Sequence, residues 1–142
     1  LKWNIQKGNI LPSAIKGITL SEEQHVYAQQ RLGQQANIVL EDYRHQTGLY
    51  DHIISIEMFE AVGEKYWPSY FNTVRDRLKP GKSATLQIIT VPDRRWKVYK
   101  RGVDFIQKYI FPGGMLASPA VLREQVEKAG LAVVNSIEFG ES

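Results

Sequence analysis

Residues 15–40 read IKGITLSEEQHVYAQQRLGQQANIVL. The run from Ile15 to Leu20 has the composition of a short strand, and Ser21 then stands three residues before Gln24. That S-x-x-Q spacing is a capping box, which predicts a helix from Ser21 to about Leu32. Ala36–Leu40 (ANIVL) is apolar and β-branched again, a second strand. Strand, capped helix and strand over short connections is the unit from which parallel sheets are built, since parallel neighbours need a crossover between them.

The same alternation continues outward. Tyr50–Ile56 (YDHIISI) reads as a third strand. Tyr66, Trp67, Tyr70, Phe71, Val74 and Leu78 recur at helical spacing, predicting a helix over 65–78 that stops at Lys79-Pro80-Gly81-Lys82. Ser83–Val91 (SATLQIITV) is the strongest strand signal. A basic helix follows, broken by FPGG at 111–114. Ser118-Pro119 opens a further helix, with serine as cap and proline at the first position. Gly130 closes that helix, and Leu131–Phe139 is expected as the last strand. The fold class predicted is α/β with a mostly parallel sheet. In such sheets ligands bind beyond the carboxyl ends of the strands, which here are Leu20-Ser21, Glu41-Asp42, Glu57 to Glu60 and Thr90.

With 142 residues the chain suits one domain, and 43% hydrophobic with 23% charged residues is a globular composition. No apolar run approaches the roughly 20 residues that span a bilayer, and no signal-peptide pattern opens the chain. The absence of cysteine excludes disulfides, thiolate metal sites and a cysteine nucleophile, and suits a reducing compartment. A net charge of +3 admits an anionic partner without specifying it. The start at Leu1 and the stop after FGES lead us to expect a fragment of a longer protein.

Glu57 and Glu60 sit beside Met58, Phe59 and Trp67 just after the third strand. Read from the residues alone, they fit either acids at a helix N-terminus or a functional pair on one side of a turn. His25, His45 and His52 lack metal-ligand spacing and read as surface or packing residues. The stretch 93–111 mixes Arg94, Arg95, Lys97, Lys100, Arg101 and Lys108 with Trp96, Tyr99, Phe105 and Tyr109. It fits a core-packed helix with a solvated basic face, or one lying on an anionic membrane; nothing else in the chain supports nucleic-acid binding.

Several stretches together are similar to one family. GITLSEEQHVYAQQRL (17–32), EDYR (41–44), YDHIISIEMFEAVGEKYWPSYF (50–71), LKPGKSATLQIIT (78–90) and DFIQKYIFPGG (104–114) resemble the cyclopropane-fatty-acyl-phospholipid synthases and the related mycolic acid cyclopropane synthases. The resemblance implies a Rossmann-like class I methyltransferase sheet with helices on both faces. The family's first strand and E-x-G-x-G loop are missing, because LKWNIQKGNILPSA stands in their place. It implies one truncated domain over 1–142, with 1–16 divergent. Trp3–Leu11, another chain or a rearranged sheet would then fill the gap left between the strands at Ile15 and Tyr50.

The activity implied is methylene transfer from S-adenosylmethionine to the cis double bond of an unsaturated phospholipid acyl chain, with bicarbonate as the base. The cofactor-binding residues implied are Thr19, Leu20, Ser21, Gln24, Asp42 and Tyr43. Glu60, Gln87 and Ile89 match the catalytic segment that holds the bicarbonate, with Gln87 standing where many members have histidine. Tyr109, Phe111 and Gly114 match the segment that encloses the acyl chain. The family's upstream cysteine and a tyrosine beyond FGES have no counterpart here. The resemblance places the protein in the cytoplasm, peripheral at the inner membrane face, and leaves a homo-oligomer open. Two rival readings stand beside it. One is a related C- or N-methyltransferase that closes no ring, the other an inert fragment that binds lipid or a partner.

Overall fold

The structure is a computed structural model that describes residues 14–109 and 115–139, with side chains omitted over 104–109. It divides into two compact units, residues 1–47 and 48–142.

In the first unit, β1 (Lys16–Thr19) pairs in parallel with β2 (Asn37–Leu40), Ile18 opposite Val39, and α1 (Glu22–Leu32) is the crossover. This is the βαβ unit expected from 15–40. Ser21 caps α1, its Oγ accepting from the Gln24 amide at 3.2 Å. The second half of the capping box does not form. The Gln24 side chain turns instead to Thr19, whose hydroxyl donates to Gln24 Oε1 at 2.8 Å and accepts from the Ser21 amide at 3.1 Å. Gly17 permits the close strand contact, since a Cβ there would meet Ile38 Cδ1 at 2.6 Å.

In the second unit, β3 (Tyr50–Ile56) pairs in parallel with β4 (Leu78–Gln87), Ile54 opposite Thr85. Between them runs α2 (Trp67–Arg77), with Pro68 in its first turn. β4 begins earlier than the sequence suggests. Leu78 already pairs with Tyr50, and the Lys79–Lys82 turn is absorbed as an irregularity before His52 meets Ser83. It also ends earlier, at Gln87 rather than Val91. The reason is local: the Ile89 amide bonds a side chain, Glu60, instead of continuing the ladder. Thr90 then makes an isolated parallel bridge with Ala117. Two more helices follow, α3 (Trp96–Tyr109) and α4 (Pro119–Lys128), the latter capped by Ser118 as expected.

The core of this unit is aromatic. Phe59, Trp67, Tyr70 and Phe71 are all at most 1% exposed. Phe59 stacks on Trp67 at 5.2 Å and meets Tyr70 and Phe71 at 5.3 and 5.5 Å. Burying such rings is the largest single source of stability open to a small unit. The Tyr70 hydroxyl, carried inside, donates to Ser55 Oγ at 2.7 Å.

Among the described residues the strands form two two-stranded sheets, one in each unit, and Trp3–Leu11 lies outside the described residues. One expectation changes: residues 131–139 form no strand, and Val134, Ile137 and Phe139 are 75–89% exposed. Alternation fixes which face a segment would bury, but a strand exists only where a ladder partner does.

Candidate functional site

Two groups of residues answer to the predicted site, one in each unit. In the first unit the end of β1 carries the Thr19–Ser21–Gln24 network, with Leu20 70% exposed beside it. The end of β2 leads to Asp42, whose carboxylate accepts from the Arg44 amide at 2.8 Å and from its guanidinium at 2.7 to 3.1 Å. Those bonds hold the Asp42 carboxyl down at about 2, so it stays ionised at neutral pH. Tyr43 follows in a 3-10 turn, and partial burial pushes its phenol up from the ordinary value. Glu41 is bridged by Lys16 at 3.3 Å and by Gln46 at 2.8 Å. The unit thus brings Thr19, Leu20, Ser21 and Gln24 together on one strand-to-helix turn, and Asp42 with Tyr43 on another.

The second unit gathers Glu57 and Glu60 after β3 beside Gln87 and Ile89 at the carboxyl end of β4. Glu57 takes a left-handed backbone, φ 51°, while its amide still donates to the Gln87 carbonyl at 2.8 Å. The chain then turns through a 3-10 segment (Phe59–Ala61) that carries Glu60. So the two acids do not share a helical face. Glu60 Oε1 accepts from the Ile89 amide at 2.5 Å, a charge-assisted bond. Glu60 Oε2 is buried with no hydrogen-bond partner, and Trp67 Nε1 is in the same state. Gln87 does not bond Glu60; its Nε2 lies 3.4 Å from Glu57 Oε1. A buried carboxylate oxygen without a donor carries a desolvation cost that a ligand hydrogen would remove.

Sequence reading missed Met115. Its amide donates to the Glu60 carbonyl at 3.1 Å, which lays the segment that begins at Met115 directly against the Glu60 turn. Asp93 was missed as well: its carboxylate accepts from the Ala120 amide at 2.9 Å and ties the start of α3 to α4. Neither contact has a periodic signal, because each joins segments distant in sequence. Phe111 and Gly114 lie outside the described residues, and Tyr109 is placed only as the last residue of α3.

The histidines make local contacts. His25 Nε2 contacts the Ile38 carbonyl at 3.1 Å, and His52 contacts Thr85 Oγ1 at 3.0 Å. No cluster that could hold a metal ion occurs among the described residues. On α3, Trp96 leans on Trp67 at 6.2 Å and the Tyr99 hydroxyl accepts from the Leu116 amide at 2.8 Å. Lys100 pairs with Glu64, while Arg94, Arg95, Lys97 and Arg101 are exposed beside Val98, itself 74% exposed. Among the described residues no helix is long and apolar enough to cross a membrane.

The family model for mycolic acid cyclopropane synthetase matches residues 10–141. The tuberculostearic acid methyltransferase UfaA1 of Mycobacterium tuberculosis is 40% identical over 128 residues, 86% of this chain and 30% of that protein. The cyclopropane-fatty-acyl-phospholipid synthase of Escherichia coli K12 is 36% identical over 116 residues, covering 80% of this chain and 29% of its own length. The chain therefore spans less than a third of these relatives. A crystal structure of the mycolic acid cyclopropane synthase CmaA1, complexed with SAH and CTAB, superposes with a TM-score of 0.71 at 24% identity, over 93% of this chain and 50% of that one. The fold is that of this methyltransferase class, as the sequence suggests.

Proposed function

The chain belongs to the mycolic acid cyclopropane synthetase family, and from that premise we propose that it is part of an enzyme that transfers a one-carbon unit from S-adenosylmethionine to a lipid acyl chain. The acceptor we favour is the cis double bond of an unsaturated phospholipid. The methyl carbon leaves sulfur, S-adenosylhomocysteine departs, and a new carbon–carbon bond forms. Loss of one proton from the transferred methyl then closes a cyclopropane ring. An alkene is a weak nucleophile, so placement and a dry, cation-tolerant surface are what the protein must supply.

The observation that carries this reading is Glu60: one oxygen pinned by the Ile89 amide, the other buried with no donor, beside the aromatic cluster of Phe59 and Trp67. Such an oxygen fits a small ligand that brings its own hydroxyl, and bicarbonate is one. When bound, bicarbonate supplies the base for the departing proton. Glu60 Oε2 would accept its hydroxyl, and Gln87 has a second amide hydrogen to give to one of its oxygens. S-adenosylmethionine fits the residues of the first unit. The ionised Asp42 keeps lone pairs for ribose hydroxyls or an amine, Tyr43 offers a ring face for adenine, and Thr19 to Gln24 edge the site. Tyr109, Phe111 and Gly114 are proposed to enclose the acyl chain.

We place the enzyme in the cytoplasm, at the anionic inner face of the membrane. Arg94, Arg95, Lys97 and Arg101 supply the exposed charge, each near-surface cation contributing about 1 kcal/mol. A second reading, methylation without ring closure, is favoured by the similarity to a tuberculostearic acid methyltransferase. The test is to incubate the full-length protein with methyl-labelled S-adenosylmethionine and vesicles of an unsaturated phospholipid. Label in a ring-bearing acyl chain supports the first reading, and label in a branched chain supports the second. Absence of label from lipid overturns both.

A further inference from the structure

Glu57 stands in a backbone conformation that residues with a side chain rarely adopt, φ 51°, at the carboxyl end of β3. Glycine would hold the same turn without strain. The turn itself is fixed by the backbone, through the Glu57 amide bonded to the Gln87 carbonyl at 2.8 Å, and needs no carboxylate. What the side chain adds, among the described residues, is a contact from Oε1 to Gln87 Nε2 at 3.4 Å. An ionised carboxylate only accepts, so it admits the amide nitrogen of Gln87 and repels the amide oxygen. Glu57 itself is exposed, which leaves its charge largely screened by water. We propose that Glu57 is a positioning residue: it fixes the flip of the Gln87 amide so that nitrogen, not oxygen, is presented at the end of β4.

This rests on the proposed role of Gln87 in holding a small oxyanion beside Glu60. With the flip fixed, one amide hydrogen goes to Glu57 and the other remains to be donated. With the flip free, the amide oxygen spends part of its time facing the anion and repels it. The residue is one that sequence reading leaves open, since neither its backbone conformation nor its partner has a signal in the local pattern.

The test compares Glu57→Gln, Glu57→Asp and Glu57→Gly in the full-length protein. Glu57→Gln keeps the shape but can meet either end of the Gln87 amide, so the two flips become about equally populated; we expect kcat to fall about twofold or somewhat more, with KM for both substrates unchanged within error. Glu57→Asp keeps an accepting carboxylate and tolerates the left-handed backbone, so it recovers most of the loss. Glu57→Gly relieves the strain and keeps or raises Tm while lowering kcat, which a merely structural role would not do. A second readout needs no turnover. In protein labelled with ¹⁵N-glutamine, the side-chain amide pair that vanishes in Gln87→Leu is assigned to Gln87, and it should shift in Glu57→Gln far more than any other glutamine. An unshifted Gln87 amide, or unchanged kcat in Glu57→Gln and Glu57→Gly, overturns the proposal. A Gln87 amide that shifts in Glu57→Gln, while the wild-type protein labels no lipid, supports the pairing and refutes the enzyme reading instead.

Discussion

Replacing Phe59 with alanine removes the ring around which the second unit is built. The side chain is fully buried and touches Trp67, Tyr70 and Phe71, three rings that are themselves at most 1% exposed. These three neighbours all lie on α2, which is itself packed against β4 and α4, so the helix is not free to move into the space. Such Phe→Ala changes cost about 3–5 kcal/mol, and the rigid aromatic surroundings put this one near 4 kcal/mol. That is a large part of the 5–15 kcal/mol that typically stabilises a domain. For a unit of this size it corresponds to a fall in Tm of roughly 15–30 °C. Urea unfolding followed by the fluorescence of Trp67 and Trp96, which lie in the cluster, gives the loss directly. The midpoint should drop with little change in slope, and Phe59→Leu should lose less than half as much. A loss below about 1 kcal/mol would mean the cluster does not pack as described.

Three smaller perturbations follow. Ser118 is 1% exposed and caps α4 through Oγ to the Val121 amide at 3.3 Å, so Ser118→Ala should cost about 1 kcal/mol, read from the same unfolding curves. Asp42 has a folded value of about 2 against 3.8 when unperturbed, a depressed carboxyl. Its contribution is therefore complete above about pH 4 and is lost as pH falls through about 2. Arg44 is 57% exposed, so water screens the pair and it is worth about 1 kcal/mol. Asp42→Asn should lower the urea midpoint at pH 6, and the difference should shrink as pH falls towards 2 and disappear below it. Gly17→Ala drives a Cβ to 2.6 Å from Ile38 Cδ1, a flexible end that can turn away; a cost of about 1 kcal/mol is expected, and a rise in Tm would contradict the close β1–β2 contact.

Much of the local structure is legible because its causes are local. The helix after Ser21 and the one after Ser118-Pro119 are announced by their caps, and β3 by its apolar, β-branched composition. The failures are those of partners. Nothing in LAVVNSIEF says whether a neighbouring strand is present to bond it, and nothing in SATLQIITV says that Ile89 will give its amide to a glutamate 29 residues away. The site divides in the same way. Family resemblance names Glu60 and Ile89, and the structure bonds them to each other. It also names Gln87, whose contact is with Glu57 rather than Glu60. Glu57 depends on a positive φ that a glutamate gives no reason to expect.

The account turns on Glu60 acting at the reacting centre rather than merely closing the turn against Ile89. Glu60→Gln in the full-length protein keeps the acceptor for the Ile89 amide and removes the charge behind Oε2. Measured side by side, kcat for label transfer to lipid should fall by about a hundredfold or more, while the dissociation constant for S-adenosylmethionine by calorimetry stays within about threefold. Equal losses in turnover and cofactor affinity, or wild-type turnover in the variant, would contradict it.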